Sequence, residues 1–331
     1  ARFIAYCARV YSLGGQDCVY GGADRGGMWA YAQVARNLGR EVIGITAKLF
    51  QERAWMALGE NLHTTETLAL RRAGLARGAV VGQPARRNAI VNLPGGWGTL
   101  DEAVEAIRWA GMGYHNKPIS FLAPDDYWEG FREYLEHLKD KGAIDAASWQ
   151  NIRFLSGPSA PQEDLVQIRQ REASGRPWID TIDKIDLSQT SPDEAVKSQP
   201  ASPLIIRDHS LLSLQKICTA MTFNQRGAND HAEPFGRPVI VLDPDGVFER
   251  TAGKWIQRAA GGGLINTTDA QWVHYARDED HLTKLAASVR PPAFDPEEKQ
   301  RNLHGLDWDG IVAEYSKSSP APVRVSNRQP V

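Results

Sequence analysis

The sequence predicts an α/β protein: a largely parallel sheet covered by helices on both faces, followed by a second, smaller and degenerate α/β unit. Three observations predict it. Helix-like and strand-like segments alternate through the first half, which demands crossover connections and hence parallel strands. The stretch NKPISFLAPDDYWEG (Asn116 to Gly130) aligns without gaps on GRPVIVLDPDGVFER (Gly236 to Arg250), 120 residues further on. Between these copies, Pro158, Pro161, Pro177, Pro192, Pro200 and Pro203 punctuate a polar stretch that reads as a connector.

In chain order, residues 1 to 13 read as a helix, Asp17 to Tyr20 as a short strand, Met28 to Leu38 as a helix and Glu41 to Ile45 as a strand. A helix near Thr65 to Gly78, a strand at Ala89 to Leu93, a helix at Leu100 to Ala110, a strand at Ile119 to Leu122 and a helix around Tyr127 to Lys141 follow. The repeat extends beyond the aligned stretch. An amphipathic helix, a glycine-containing stop (Lys141 to Ile144 against Gly262 to Ile265) and a closing strand (Asn151 to Phe154 against Trp272 to Tyr275) recur in the same order. Self-similarity of this kind points to two related units. The expected organisation is a first unit at 1–156, a connector at 157–204 with one helix at Gln162 to Arg171, a degenerate second unit at 205–290, and a peripheral tail at 291–331.

A chain of 331 residues with 42% hydrophobic composition can bury a sizeable core. A net charge of -2 offers no basic field, so neither nucleic acid nor a membrane surface is an expected partner. No apolar run approaches the ~18 residues of a spanning helix. Cys7, Cys18 and Cys218 have no metal-ligand spacing and cannot all pair, which favours a reducing, cytoplasmic setting. His115, His209, His231 and His274 form no metal constellation, so no metal and no cofactor is expected.

The chemistry concentrates in NLPGGWGTLDEAVEAI, Asn92 to Ile107, where a strand hands over to a helix through Gly95, Gly96 and Gly98. Glycines there allow a tight turn and leave backbone amides open to a ligand. At a helix N-terminus those amides and the dipole make an anion site suited to a phosphate. Thr99 is placed to cap the helix and offer its hydroxyl. The plainer alternative is a tight turn with an ordinary cap. Asp101 and Glu102 read as first-turn acids that complement the dipole, but a carboxylate beside a phosphate can also reach the attached sugar. Glycosidic cleavage passes through an oxocarbenium-like cation, which such a group stabilises. A second strand, glycine loop and helix, CVYGGADRGGMWAYA (Cys18 to Ala32), suggests a nucleotide-sized crevice at the strand ends.

These residues together resemble the Lonely Guy family of phosphoribohydrolases, long labelled lysine decarboxylases. The hallmark Pro-Gly-Gly-x-Gly-Thr-x-x-Glu is complete from Pro94 to Glu102. The Gly-Gly loop before Met28, the strand from Glu41 to Ile45 and the stretch from Trp109 to Pro118 match as well, so the resemblance covers roughly residues 1 to 155. It implies a Rossmann-like fold and hydrolysis of the N-glycosidic bond of a nucleoside 5'-monophosphate, either AMP or an N6-substituted AMP that would release a cytokinin. By matching the family's Met-x-x-Arg-Lys segment onto Leu68 to Arg72, it implies Arg71 and Glu102 as the catalytic pair. Gly95, Gly96, Gly98, Thr99, Arg72, Gly21, Gly22 and Met28 are then expected to bind the nucleotide. The plainer reading of Arg71-Arg72 is a solvated helix face.

The sequence departs from the family in three places. The family's opening strand, ending Cys-Gly-Ser-Ser, has no match, and Leu204-Ile205-Ile206 is the segment expected to fill its slot in the sheet. AVVGQPARR, Ala79 to Arg87, lengthens the link to the motif strand and makes Arg77, Arg86 and Arg87 alternative cations. The degenerate second unit is expected to imitate the partner of the family's dimers, with further homo-oligomerisation left open. A non-catalytic nucleotide sensor of the same fold is the alternative function, and a pseudo-dimeric scaffold a third.

Overall fold

The apolar segments VIGITA, ISFLA and VIVL are covered on both faces and form the middle strands of three parallel sheets, as continuous rather than alternating hydrophobicity requires. The computed structural model describes residues 1–23, 26–51, 61–79, 88–187, 192–193, 196, 202–230, 237–290, 298, 301 and 305–317. In the first sheet β2 (Val42–Ala47) lies between β1 (Cys18–Tyr20) and β3 (Leu62–Thr65). In the second, β5 (Ile119–Ala123) lies between β4 (Ile90–Asn92) and β6 (Ile152–Ser156). In the third, β8 (Val239–Leu242) lies between β7 (Leu204–Ile206) and β9 (Val273–Ala276).

The helices of the first half are α1 (Arg2–Leu13), α2 (Gly26–Asn37), α3 (Lys48–Gln51), α4 (Leu68–Arg77), α5 (Trp97–Gly111), α6 (Glu129–Asp140) and α7 (Ala146–Trp149). The rest are α8 (Ala160–Ala173), α9 (Leu211–Asp230), α10 (Val247–Arg250), α11 (Ala252–Gly261), α12 (Glu279–Ser288) and α13 (Trp308–Tyr315). The chain is thus α/β with parallel sheets flanked by helices. The strand β3 was not anticipated, because LHTT is short and only partly apolar. Its register on β2 comes from tertiary pairing rather than from local pattern.

The segment Leu204–Ile206 does not fill a slot in the first half. It pairs with Val239 to Val241 and opens the third sheet, so that expectation is corrected. The physical reason is its own sequel: a long helix follows it and returns to β8, as α5 follows β4 and returns to β5. The two sheets therefore have the same order, and the middle strands β5 and β8 are the segments related by the repeat.

Like elements face one another across the seam. Helix α5 packs on α9, and α6 on α11. One apolar cluster includes Trp97, Leu100, Val104 and Ile107 from α5 with Leu214, Ile217, Cys218 and Met221 from α9. Trp255 of α11 stands edge-on to Trp97 at 5.3 Å and stacks over Trp128 at 6.3 Å. Fully burying one such ring contributes about 2–3 kcal/mol. Lys254 reaches Glu129 at 2.8 Å, and Arg258 pairs with Asp126.

Of residues 157–204, α8 and the stretch from Asp180 to Ile185 pack on the first unit, while Val196, Ser202 and Leu204 reach the second. Asp164 of α8, fully buried, accepts from Tyr11 Oη and Ser120 Oγ and pairs with Arg153 at 2.8 Å. Ile182 and Ile185 cover Trp109 and Ala73, and Asp180 pairs with the buried Lys117 at 2.5 Å. The tail, expected to be peripheral, carries α13, whose Ile311 and Val312 pack with Ala5, Ala30 and Val34 of α1 and α2. Among the described residues no helix is long and apolar enough to cross a membrane.

Candidate active site

Strand β4 ends at Asn92, the chain turns through Pro94 to Gly96, and α5 begins at Trp97. Gly96 is the N-cap, with φ -90 and ψ -154, and no side chain caps the helix among the described residues. The amides of Thr99 and Leu100 both donate to the Gly96 carbonyl, at 3.1 and 3.2 Å, so it is those of Trp97 and Gly98 that are left to an outside acceptor, which suits an anion. Thr99 does not cap as expected, because it is the third residue of the helix; its side chain lies against Gly95. Tyr127, just past β5, donates its hydroxyl to the Gly95 carbonyl at 2.6 Å and fixes the turn from behind.

The three motif glycines are small for different reasons. A Cβ on Gly95 would strike Thr99 Oγ1. A Cβ on Gly96 would stand 2.6 Å from the Leu264 carbonyl oxygen and 2.9 Å from Ile265, so this glycine admits the second unit. A Cβ on Gly98 would meet nothing within 4 Å, so only this glycine borders open space. Trp97 packs behind the turn, fully buried.

Asp101 and Glu102 lie beyond the first turn of α5, so complementing the dipole does not explain them. They diverge. Glu102, about a third exposed, pairs with Arg71 Nη1. The Arg71 guanidinium is otherwise enclosed: Nε donates to the Ile45 carbonyl at 3.1 Å, Nη2 to the Gly21 carbonyl at 3.3 Å, and the Phe50 ring lies 5.5 Å from its centre. These partners come from three places: Ile45 from within β2, Gly21 just past β1 and Phe50 from α3. Gly21 is required by this approach, since a Cβ there would strike Arg71 Nη2. Met28 borders the same spot and is 47% exposed, the lip of the opening. Gly22 turns away, at φ +76, against Leu62 and Thr46, and serves the backbone.

Helix α4 holds Arg71 in place by its ends. Thr67 accepts from the Leu70 amide at 3.1 Å, and Gly78 closes the helix in the left-handed region at φ +69. The lengthened link after it leaves Arg71 in register with Glu102. Arg77 is buried near Asp180, 3.9 Å away, and not at this site; Arg86 and Arg87 lie outside the described residues, as does His231.

Arg72 departs from expectation. It is 2% exposed, and its guanidinium meets Asp101 at 2.8 Å, Asp193 at 2.7 Å, and Glu105. It therefore faces the interior, and a solvated helix face is excluded as well. Burial pushes the Glu105 carboxyl up to about 7 and raises Asp101, with Arg72 pulling both the other way. Asp101 also accepts from Thr219 Oγ1 of α9 at 2.7 Å. Tyr127, Phe50, Asp193 and Thr219 were missed by sequence reasoning. Tyr127 sits in the repeated stretch, which was a usable signal; the other three reach the site through tertiary packing alone.

Among the described residues no His, Cys, Asp or Glu group could hold a metal ion. The three cysteines are buried and unpaired, with Cys18 pushed up to about 12 by burial. What the arrangement offers is an open set of helix amides, a carboxylate, and a guanidinium locked beside it.

Residues 28–163 match the family model described as "Possible lysine decarboxylase". The cytokinin riboside 5'-monophosphate phosphoribohydrolase LOG1 of Arabidopsis thaliana is 32% identical over 182 residues, 53% of this chain and 79% of that protein. LOG2 of the same plant is 31% identical, over 53% of this chain and 80% of its own length. The probable phosphoribohydrolase LOGL3 of Oryza sativa subsp. japonica is 32% identical, over 50% of this chain and 76% of its own length. These matches agree with the complete motif from Pro94 to Glu102 and with its glycine turn, helix and paired Arg71, and the chain belongs to the Lonely Guy family.

Proposed function

We propose that this chain is a nucleoside 5'-monophosphate phosphoribohydrolase, cleaving AMP or an N6-substituted AMP to the free base and ribose 5-phosphate. The observation that carries the reading is the Arg71–Glu102 pair standing beside the uncapped start of α5. The 5'-phosphate would lie on the amides of Trp97 and Gly98, where charge-assisted hydrogen bonds to backbone N–H are strong. That anchorage puts the sugar next to Glu102. As the glycosidic bond lengthens, the carboxylate stabilises the ribosyl cation and takes water's proton, while Arg71 orients the nucleotide and helps the base depart. The names of LOG1 and LOG2 support the choice of substrate class.

The second unit takes the place of a partner subunit in this reading. Pairing of α5 with α9 and of α6 with α11 is the like-on-like pattern of a two-fold interface.

The test is direct. The purified protein is incubated with AMP and with its N6-isopentenyl analogue, and free base and ribose 5-phosphate are quantified. Release of both products from either nucleotide supports the proposal. Saturable binding with no base released would replace it with the nucleotide-sensor reading.

A further inference from the structure

Arg71 and Arg72 are consecutive on α4 yet meet separate anions on α5. Asp101 and Glu105, four residues apart, share one face of α5 and hold Arg72; Glu102, on the adjoining face, holds Arg71. Neighbouring residues on a helix cannot rotate independently, so whatever fixes the Arg72 guanidinium also fixes the roll and slide of α4 that bring Arg71 to Glu102.

The guanidinium of Arg72 is held on each of its three nitrogens: Nε by Glu105, Nη1 by Asp101 at 2.8 Å, and Nη2 by Asp193 at 2.7 Å. A planar fork held on all edges has one orientation. Two of these anions ride on α5. Asp193 does not; it belongs to the segment joining the two units, which is seated by the buried Val196, whose carbonyl accepts from Arg237 Nη1 at 2.9 Å. Asp193 therefore adds a restraint on Arg72 that α5 does not supply.

We infer that Asp193 is a positioning residue for the Arg71–Glu102 pair, acting through Arg72 and tying the geometry of the site to the linking segment. This rests on the proposed reaction at that pair. The site geometry is then set from outside the family motif, by a residue that lies beyond the region matching the family model.

The experiment uses the full chain carrying Asp193→Asn, which keeps the side-chain volume and an acceptor oxygen but removes the charge that aims Nη2. Leu282→Ala, in a separate apolar cluster of the second unit with Ile240 and Ala276, is the comparison, since it loosens core packing without touching Arg72 or the linking segment. Base release should show kcat lowered about tenfold in Asp193→Asn with KM within about twofold, the signature of misplaced reacting groups. Leu282→Ala, assayed well below its melting temperature, should keep its kcat. An unchanged kcat in Asp193→Asn, or an equal fall in both variants, would overturn the inference. A second readout does not need turnover. The side-chain Nε–Hε NMR signal of Arg71, assigned with Arg71→Lys, reports the bond to the Ile45 carbonyl and should shift or broaden in Asp193→Asn but not in Leu282→Ala. If the wild-type chain releases no base, the proposed reaction fails, and the Arg71 signal alone decides: unmoved in Asp193→Asn, it overturns the positioning role.

Discussion

The two units begin the same way and finish the turn differently. After β4 the chain passes through glycines into α5, whose first amides meet no capping side chain among the described residues. After β7 it passes through Arg207, Asp208, His209 and Ser210 into α9. There Ser210 Oγ accepts from the Ser213 amide at 3.1 Å, and Asp208 accepts from Ser213 Oγ at 2.7 Å. His209 leans on the Leu242 carbonyl at 3.2 Å. One strand-to-helix turn is left open for an outside anion, while its counterpart satisfies itself. A duplicated scaffold can thus keep chemistry in one copy and packing in the other with changes confined to about four residues at a helix start.

The largest effect expected from this contrast is at Glu102. Glu102→Gln keeps the shape of the open turn and removes the negative charge, so base release should fall by at least about a thousandfold while nucleotide binding persists. Product assay and equilibrium binding on the same preparation check it; retained turnover would sink the role given to Glu102.

The glycines sharpen the same point. Gly98 borders open space and Gly96 borders the Leu264 carbonyl oxygen at 2.6 Å. Gly98→Ala should raise KM about tenfold by crowding the phosphate position, with stability unchanged or higher by about 0.5–1 kcal/mol, since alanine is the better helix residue. Gly96→Ala should lower stability by about 1–3 kcal/mol through overpacking at the seam. Thermal melts and substrate titrations separate the two, and identical behaviour would erase the distinction between a ligand glycine and a packing glycine.

Much of this was legible in the sequence, and the exceptions have a common cause. The parallel α/β class, the repeat, the end of α4 at Gly78 and the motif from Pro94 to Glu102 are local patterns, each fixed within a few residues; the start of α4, expected near Thr65, falls after β3, with Thr67 as its cap. Arg72 was misplaced because a pair of arginines on a helix gives no sign of which one turns inward. That depends on Asp193, 121 residues away in sequence, and on the burial of Asp101 and Glu105. Leu204 to Ile206 was assigned to the wrong sheet for a related reason. Apolar triplets state that a strand exists, while its neighbour is chosen by the helix that follows.

The seam offers a pH test of the buried cluster. Glu105 is pushed up to about 7 from the usual 4.5 by burial, so between those values the folded chain holds a proton that the unfolded chain has released. Its contribution to stability is therefore fully present below about 4.5 and lost as pH rises through about 7. Asp101 is shifted the same way, while Arg72 opposes both; Asp193 and Gln215 also face Glu105. Glu105→Gln should flatten the decline across that window by on the order of 2 kcal/mol. Denaturant unfolding at pH 5 and pH 8 measures it. An unchanged slope would place the proton elsewhere in the cluster. Burial holds His115 down at about 4, which lowers stability toward acid, and this background is common to both proteins.

The smallest effect tests the closed turn. If Ser210 only satisfies the start of α9, Ser210→Ala should cost about 1 kcal/mol, the ordinary value of a lost helix cap, and leave kcat and KM for base release untouched. Denaturant midpoints and the product assay measure the two. The outcome matters more than its size, because the comparison depends on the second turn having no ligand. A Ser210→Ala variant that keeps its stability but changes turnover would mean that the second turn takes part in the reaction. The open and closed ends would then be two halves of one site rather than a working copy and a packing copy.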